Sequence, residues 1–232
     1  MRSDSRKSEL KFRGQLQAAI FDMDGVLIDS HPVHREAWKN FLQSIGRDLS
    51  EEELDFILDG RKRSDILRHF LGDISDAELE KHGQRKDEFF QQIASKIQPV
   101  PGVLSLLGKL RAKGVRTAVA TSATGIRARS TLTRLRLMRW FGVVITGDDV
   151  AEGKPDPAIY QMACVRLGVE PDTAFAIEDA VSGVLAAKRA GLRCVAVSSR
   201  EFAEKFRAAG ADYVIPDFGE DSLSLLQTFL RE

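Results

Sequence analysis

Ile20-Phe21-Asp22-Met23-Asp24-Gly25-Val26-Leu27 is the most informative stretch of this sequence. An apolar run, residues 18–21, ends abruptly at Asp22, and a second aspartate, Asp24, follows two positions later, before a glycine. Two carboxylates at the end of a buried strand are unfavourable unless a positive charge compensates them, and Mg²⁺ prefers such oxygen ligands. Asp-x-Asp-Gly is also common in turns, so the stretch taken alone fits an exposed turn equally well.

Outward from this stretch, short apolar runs alternate with helix-length patterns. Leucines at helical spacing, followed by a glycine, predict a helix over residues 104–113, and the same arrangement recurs over 155–167 and 181–190. The alternation favours an α/β fold, a doubly wound parallel sheet of the Rossmann-like type, with its chemistry at the carboxyl ends of the strands. The predicted strands are residues 18–21, 115–120, 143–145, 174–177, 193–197 and 213–215.

One long segment interrupts this alternation directly after the first strand. It has no convincing strand and ends at Pro99-Val100-Pro101-Gly102, which is typical of a stiff linker. We therefore expect an α-helical cap of residues 31–97, inserted into a core of residues 15–30 and 98–232, with a hinge at the two junctions. Residues 1–14 are polar and are expected to form a flexible tail. The predicted cap helices are residues 33–45, 51–58, 63–71 and 76–96.

Composition restricts the class of protein. Lys+Arg and Asp+Glu balance at 34 each, so the 232-residue chain has no overall basic field for nucleic acid or an anionic membrane. No apolar run approaches the ~20 residues that cross a bilayer, and the polar start resembles no secretory signal. We expect a cytoplasmic protein without a nucleic-acid or membrane partner. Cys164 and Cys194 are expected to be buried free thiols, because their spacing fits neither a disulfide nor a metal site.

Four motifs, in order, closely resemble those of the haloacid dehalogenase-like hydrolase superfamily. The second motif carries a Ser/Thr at a strand end, the third is centred on a lysine and the fourth is an acidic pair. Each lies at or just after the end of a predicted strand, and together they extend over nearly the whole chain. The matching stretches are residues 21–30, 118–122, 152–157 and 175–183.

The resemblance implies a catalytic role for four residues. Asp22 would attack phosphorus and become an aspartyl-phosphate. Asp24 would protonate the leaving oxygen and then deprotonate the water that cleaves the intermediate. Thr121 would donate a hydrogen bond to a phosphoryl oxygen, and Lys154 would stabilise charge in the transition state. Without the rest of the motif, Lys154 would be interpreted as a solvated surface lysine.

The resemblance also implies Mg²⁺ as the cofactor. The ion would be held by the Asp22 carboxylate, the Asp24 backbone carbonyl and Asp179, with Glu178 in the outer shell. At the position of Asp24, dehalogenases of the superfamily carry a different residue, and phosphonate-cleaving members carry a non-acidic one. Asp24 therefore favours phosphoryl transfer over both of those reactions.

The predicted cap resembles the β-phosphoglucomutase branch of the helical-cap subgroup, which also includes phosphoglycolate phosphatase and sugar-phosphate phosphatases. By position, His34 would hydrogen-bond near Asp24, Arg63 would bind a distal phosphate or carboxylate, and Lys86 and Ser122 would contact the substrate. Each cap residue has an alternative explanation. His34 fits packing beside a tryptophan, Arg63 a solvated basic loop, and Lys86 a polar helix surface.

One departure from the mutase pattern bears on the reaction. After Thr121 and Ser122, the side chains of Ala123 and Gly125 offer no hydrogen bond to a second phosphate. We therefore predict a phosphatase acting on a small phosphorylated metabolite, such as a sugar phosphate, and expect a monomer or weak dimer. A phosphomutase is the alternative. A non-catalytic binding protein on the same fold is disfavoured, because no motif residue is missing.

Overall fold

Residues 16–229 are described by the computed structural model, with side chains described as far as residue 224. The predicted tail, residues 1–14, lies outside the described residues. Among the described helices, none is long and apolar enough to span a membrane. The strands are β1 (Ala18–Phe21), β2 (Ile28–Asp29), β3 (Gln98–Pro99), β4 (Arg116–Ala120), β5 (Val143–Ile145), β6 (Ala174–Glu178), β7 (Arg193–Val197) and β8 (Tyr213–Ile215).

Six of these strands form a parallel sheet in the order β5-β4-β1-β6-β7-β8. The central strand β1 is fully buried, which explains why its sequence is uninterruptedly apolar. Ile20 of β1 is in register with Ala118 of β4 on one side and Ala176 of β6 on the other. The chain runs outward to one edge through β4 and β5, then to the other through β6, β7 and β8. The predicted doubly wound α/β fold is confirmed, and the switch point lies at β1.

Helices cover both faces of the sheet. Phe21 of β1 belongs to a core with α5 and α6, and Ile20 to a core on the opposite face with α7 and α8. Alternate residues of the strand thus serve opposite faces. Cys164 and Cys194 are buried in the second core and are free thiols, as predicted. The helices are α1 (His31–Ser44), α2 (Glu51–Leu58), α3 (Arg63–Leu71), α4 (Asp76–Ile93), α5 (Val103–Ala112), α6 (Gly125–Arg134), α7 (Ala158–Leu167), α8 (Val181–Arg189), α9 (Ala203–Ala208) and α10 (Glu220–Phe229).

Four helices, α1 to α4, follow one another without an intervening strand and share an aromatic core around Trp38, Phe41 and Phe70. Capping boxes at Ser50 and Ser75 fix the starts of α2 and α4. The segments that enter and leave this helical region pair as the antiparallel strands β2 and β3. These strands are two residues each, too short for sequence periodicity to reveal. That α1 to α4 move as a cap about this pair stays a prediction.

Candidate active site

The carboxyl ends of three adjacent strands bring the predicted core residues together. Asp22 follows β1, Thr121 follows β4, and Glu178 is the last residue of β6. Lys154 lies in the loop before α7, and its ammonium group donates to Asp22 Oδ1 at 2.5 Å and to Glu178 Oε1 at 2.6 Å. It also donates to the carbonyl of Ala120 at 3.1 Å. This lysine therefore joins two carboxylates at the switch point of the sheet.

Glu178 is fixed in place from several directions. The hydroxyl of Tyr160 donates to the same carboxylate oxygen as Lys154, at 2.5 Å, and the backbone N–H of Asp179 donates to the other at 3.2 Å. On α8, a Cβ at Gly183 would lie 2.0 Å from the Glu178 carboxylate, so only glycine leaves room for it. Glu178 thus anchors Lys154, and its outer-shell role toward a metal stays a prediction.

Lys154 is held in its charged state. Burial alone would lower the pKa of its ammonium group, but attraction to Asp22 and Glu178 raises that pKa above its usual value. Each of these carboxylates is buried as well, Glu178 completely. The lysine is therefore a permanent positive charge, placed where a phosphoryl group bound at Asp22 would carry negative charge.

Three carboxylates converge beside Lys154. One oxygen each from Asp22, Glu178 and Asp179 lies within 4.8 Å of the others. Burial raises the pKa of Asp22, Lys154 lowers it, and repulsion from Glu178 and Asp179 raises it again, to a value well above its usual one. Burial likewise raises the pKa of Asp179, despite a partner at His31. Lys154 and a protonated His31 are two cations against three carboxylates, and the all-oxygen donors of this cluster suit Mg²⁺.

Two neighbours shape the position of Asp179. Gly25 has φ +74°, and a Cβ there would lie 1.7 Å from Asp179 Oδ2. Glycine therefore allows the loop after β1 to approach this carboxylate. His31, at the start of α1, places Nε2 3.1 Å from the same oxygen. Burial lowers the pKa of His31, but the hydrogen bond and attraction to Asp179 outweigh it and raise the pKa to about 9.

Asp24 has partners around the start of α1 and on α6. Its Oδ1 accepts from the Ser30 hydroxyl at 2.7 Å and from Arg127 at 2.9 Å, and lies 3.3 Å from His34 Nε2. Its Oδ2 accepts from Arg127 at 2.6 Å. Burial would raise the pKa of Asp24, but Arg127 and His34 lower it well below the usual value. Asp24 is therefore an ionised carboxylate held by a bidentate arginine.

Cationic and aromatic side chains form the far wall of the pocket. Lys86 is 3% exposed, and its ammonium group lies 4.8 Å from the ring centroid of Phe90 and 5.3 Å from that of Trp38. Burial and nearby Arg127 lower the pKa of Lys86 to about 8. Arg63 pairs with Asp87 and packs over Gly83, where a Cβ would come within 2.6 Å of its guanidinium carbon.

The neutral side chains of the predicted site have definite partners. Burial and Lys86 lower the pKa of His34 to about 3, so its imidazole is neutral, and its ring lies 4.7 Å from that of Phe90. The Ser122 hydroxyl donates to the carbonyl of Gly60 at 2.6 Å. That bond links the loop after α2 to the sheet end. The substrate-binding roles of His34, Arg63, Lys86 and Ser122 stay predictions.

Sequence reasoning missed four residues of this site: Ser30, His31, Arg127 and Tyr160. Tyr160 has the apolar pattern of a packing residue on α7, and its hydroxyl meets Glu178 only in the folded chain. Arg127 lies on α6, a helix that the sequence analysis did not predict. The missing signal was available, since Thr124 is a good helix N-cap and its hydroxyl accepts from the backbone N–H of Arg127.

The parallel sheet with acidic residues at its switch point is the arrangement of a haloacid dehalogenase-like hydrolase. The model of that family matches residues 19–197, and the chain belongs to it, as predicted. Its predicted class, an enzyme of the phosphoric monoester hydrolase type within this superfamily, agrees with the names of relatives.

Relatives of known name extend over most of the chain. Validoxylamine A 7'-phosphate phosphatase of Streptomyces hygroscopicus is 35% identical over 88% of this chain and 95% of its own length. Beta-phosphoglucomutase of Bacillus subtilis is 32% identical over 91% of this chain and 94% of its own length. The crystal structure of CbbY from Rhodobacter sphaeroides in complex with phosphate superposes with a TM-score of 0.77 at 31% identity, covering 89% of this chain and 96% of CbbY.

Proposed function

We propose that this chain is a Mg²⁺-dependent phosphatase that hydrolyses a small phosphorylated metabolite, such as a sugar phosphate, through an aspartyl-phosphate. The observation that carries the proposal is the lysine-bridged carboxylate cluster at the switch point of the sheet, with Lys154 2.5 Å from Asp22. A carboxylate attacks phosphorus well only when repulsion from the phosphoryl oxygens is relieved, and a buried permanent cation beside it provides part of that relief.

The residues of this chain divide the work of the reaction. Asp22 forms the bond to phosphorus as the ester oxygen leaves. Asp24, which takes up a proton from solvent once it has left Arg127, gives that proton to the leaving oxygen. Asp24 then takes a proton from the water that attacks the aspartyl-phosphate, so phosphate is released and Asp22 is restored. Thr121, 1% exposed and beside Asp22, donates to a phosphoryl oxygen. Lys154 stabilises the charge on the transferring group in both steps.

The metal would be held by Asp22, Asp179 and the Asp24 backbone carbonyl, with Glu178 in the outer shell. When bound, Mg²⁺ supplies the positive charge that the three crowded carboxylates lack and orients the phosphoryl oxygens. The fit rests on the donors themselves, since carboxylate oxygens within 4.8 Å of one another suit a hard divalent cation.

The helical region provides the wall that recognises the rest of the substrate. His34, Arg63 and Lys86 line the same pocket as Asp22, and so do Ser122 and Gly60. Hydrogen bonds from Ser122 to Gly60 and from Lys62 to the carbonyl of Val150 hold the loop after α2 against the sheet end. This closed arrangement supports a role in excluding bulk water during phosphoryl transfer.

A phosphomutase is a second candidate, favoured by the similarity to Beta-phosphoglucomutase of Bacillus subtilis and by the cations of the far wall. Purified protein with Mg²⁺ and a panel of phosphorylated metabolites, including hexose 1-phosphates, separates the two. Release of inorganic phosphate without sugar-phosphate isomers supports the phosphatase. Isomer formation that depends on traces of bisphosphate supports the mutase. If no phosphate ester is turned over, p-nitrophenyl phosphate included, the result would favour a non-catalytic binding protein.

Partners and location belong to the same proposal. We expect the enzyme to act on a soluble metabolite in the cytoplasm, as a monomer or weak dimer, without a nucleic-acid or membrane partner. Sedimentation of the purified protein over a range of concentrations measures the oligomeric state.

A further inference from the structure

Arg127 is a buried arginine whose partner is the aspartate that handles the proton. Its guanidinium donates to both oxygens of Asp24, at 2.9 and 2.6 Å, and lies 5.3 Å from the ring centroid of Phe90. It projects from the first turn of α6, directly after the segment with Ala123 and Gly125. The roles proposed for Asp22, Thr121 and Lys154 do not require an arginine at this place.

The pairing conflicts with the work assigned to Asp24. To transfer a proton, Asp24 must reach the ester oxygen on a phosphorus held beside Asp22. In this structure Oδ1 is occupied by Ser30, His34 and Arg127, and Oδ2 by Arg127. The carboxylate must therefore leave Arg127 before it acts.

Movement of Asp24 away from Arg127 is unfavourable, because Arg127 and Lys86 would stay buried with less negative charge beside them. Among the residues whose side chains are described, Asp24 is the one carboxylate in an ion pair with Arg127. Lys86 lies over the same Phe90 ring, and its nearest carboxylate, Asp87 at 3.6 Å, is already paired with Arg63. A buried cation that loses its partner is strongly destabilised. Asp24 is therefore freed at low cost only when another anion replaces it.

We propose that Arg127 is a specificity-determining residue that exchanges Asp24 for a second anionic group on the substrate, a carboxylate or a second phosphate. The inference rests on the proposed function, because it concerns the same pocket and the same aspartate. A guanidinium presents two parallel donors that fit either anion, and Lys86 adds a second positive charge beside it. A substrate with one phosphate at Asp22 and an anion at Arg127 frees Asp24. A substrate with a neutral tail leaves Asp24 paired.

Two matched substrate pairs test the exchange and distinguish the two anions. Glycerol 3-phosphate and 3-phosphoglycerate differ by a carboxylate, and fructose 1-phosphate and fructose 1,6-bisphosphate by a phosphate. For wild-type protein we expect kcat/KM to be at least about 10-fold higher for the second-anion member of one pair, the usual worth of a charge-assisted hydrogen bond. In Arg127→Met the ratio should fall by about 10-fold, the contribution of Arg127 itself, and a preference left by Lys86 or Arg63 would be smaller than that of the wild type.

The controls use the same helix. Arg129, two positions further on, is exposed, so Arg129→Met should keep the wild-type ratio. Arg127→Lys keeps the charge and loses the paired donors, so its ratio should lie between those of wild type and Arg127→Met. If circular dichroism melting shows that Arg127→Met does not fold, Arg127→Lys replaces it in the test.

A binding measurement separates failure of the inference from failure of the proposed function. In an Asp22→Asn background, calorimetry compares the two members of each pair without turnover. If the second-anion member binds more tightly, and this advantage is lost in Asp22→Asn/Arg127→Met, Arg127 recognises the second anion. That result would stand even if the wild type released no phosphate. Absence of phosphate release would contradict only the proposed function. Equal binding and equal kcat/KM within both pairs, or a preference in Arg127→Met as large as in the wild type, would overturn the inference.

Discussion

Two buried lysines have opposite surroundings: Lys86 lines the pocket in the helical region, and Lys154 lies beside Asp22 at the sheet end. Lys154, at the sheet end, contacts two carboxylates at 2.5 and 2.6 Å. Lys86, in the helical region, lies over two aromatic rings and has a shared carboxylate at 3.6 Å. Burial lowers both pKa values, but the carboxylates reverse the shift at Lys154, whereas at Lys86 the pKa stays lowered, to about 8.

The difference lies in which lysine has carboxylates of its own. At the sheet end Lys154 is held between two carboxylates, so the position of this cation is fixed before a substrate arrives, as preorganised electrostatic stabilisation requires. In the helical region Arg63 pairs with both Asp87 and Glu80, so Lys86 shares Asp87 and is paired with no other carboxylate among the described side chains. An anionic group on the substrate would therefore meet a buried cation that has no carboxylate to itself.

The largest expected effect comes from Asp22→Asn, which keeps the shape of the sheet end and removes the proposed nucleophile. We expect phosphatase kcat to fall by at least about 10⁴-fold, as when other covalent nucleophiles are removed. The melting temperature should not fall, because one member of a crowded set of carboxylates becomes neutral. Steady-state phosphate release and thermal melting measure the two effects. Asp29→Asn, an exposed aspartate nearby, is the matched control. An active Asp22→Asn protein would refute the nucleophile.

Lys154→Met breaks the compensation at the sheet end. Asp22 and Glu178 stay buried without their cation, so we expect the free energy of unfolding to fall by about 3–5 kcal/mol. Adding Glu178→Gln should recover part of that loss, since one uncompensated charge is removed. Urea unfolding gives both numbers, and Lys113→Met, at an exposed lysine, should change stability by less than about 0.5 kcal/mol. Similar stabilities for Lys154→Met and Lys113→Met would mean that the sheet end does not depend on its lysine.

Asp179→Asn tests whether the sheet end still needs a divalent cation. We expect the Mg²⁺ concentration at half-maximal activity to rise by about 10- to 100-fold, the range seen when groups around a metal are altered. The rise in melting temperature on adding Mg²⁺ to the wild-type protein should shrink in parallel. Asp172→Asn, at an exposed aspartate, provides the comparison. An unchanged Mg²⁺ requirement in Asp179→Asn would remove this residue from the proposed metal ligands.

The smallest effect concerns Lys86 and pH. Its folded-state pKa of about 8 lies below the usual 10.5, so the wall loses positive charge as pH rises through 8. We expect kcat/KM for an anionic substrate to decline there, and Lys86→Met to flatten that decline. The unfolded chain binds more protons between pH 8 and 10.5, so wild-type stability should rise over this window, unlike that of Lys86→Met. Lys81→Met, exposed on the same helix, should behave as wild type. A decline that persists in Lys86→Met would assign it to another group.

The sheet end could be predicted because its signals are local. Asp22 follows a buried apolar strand. Helices α2 and α3 also have the predicted bounds, residues 51–58 and 63–71, because their sequence signals are local as well. Arg127 could not be found in that way. Its helix α6 is rich in arginine and threonine and exposes Ile126, and its buried face has only Ala128 and Leu132 as apolar residues. A polar helix of this kind is specified by its cap and its tertiary contacts rather than by hydrophobic spacing.

Long-range pairings account for the rest. His31 meets Asp179, and Arg127 meets Asp24, only because the chain leaves the sheet after β1 and returns at α6 and β6. The sequence motifs identify the residues expected to contact the reacting atoms. They do not identify neighbours such as His31 and Arg127, which hold those residues in place. The departure at Ala123 and Gly125 suggested weak binding of a distal anion, whereas the structure provides a cation two residues further along, at Arg127.

Gly25 gives this chain a position with almost no mutational tolerance. It contributes no functional group, yet even a methyl there would lie 1.7 Å from a carboxylate oxygen of Asp179, at a φ of +74° that other residues rarely adopt. Gly108, on α5, has nothing within 4 Å of an added Cβ. In a library of random variants selected for growth on the enzyme's product, glycine should therefore persist at position 25 and be freely replaced by alanine at position 108.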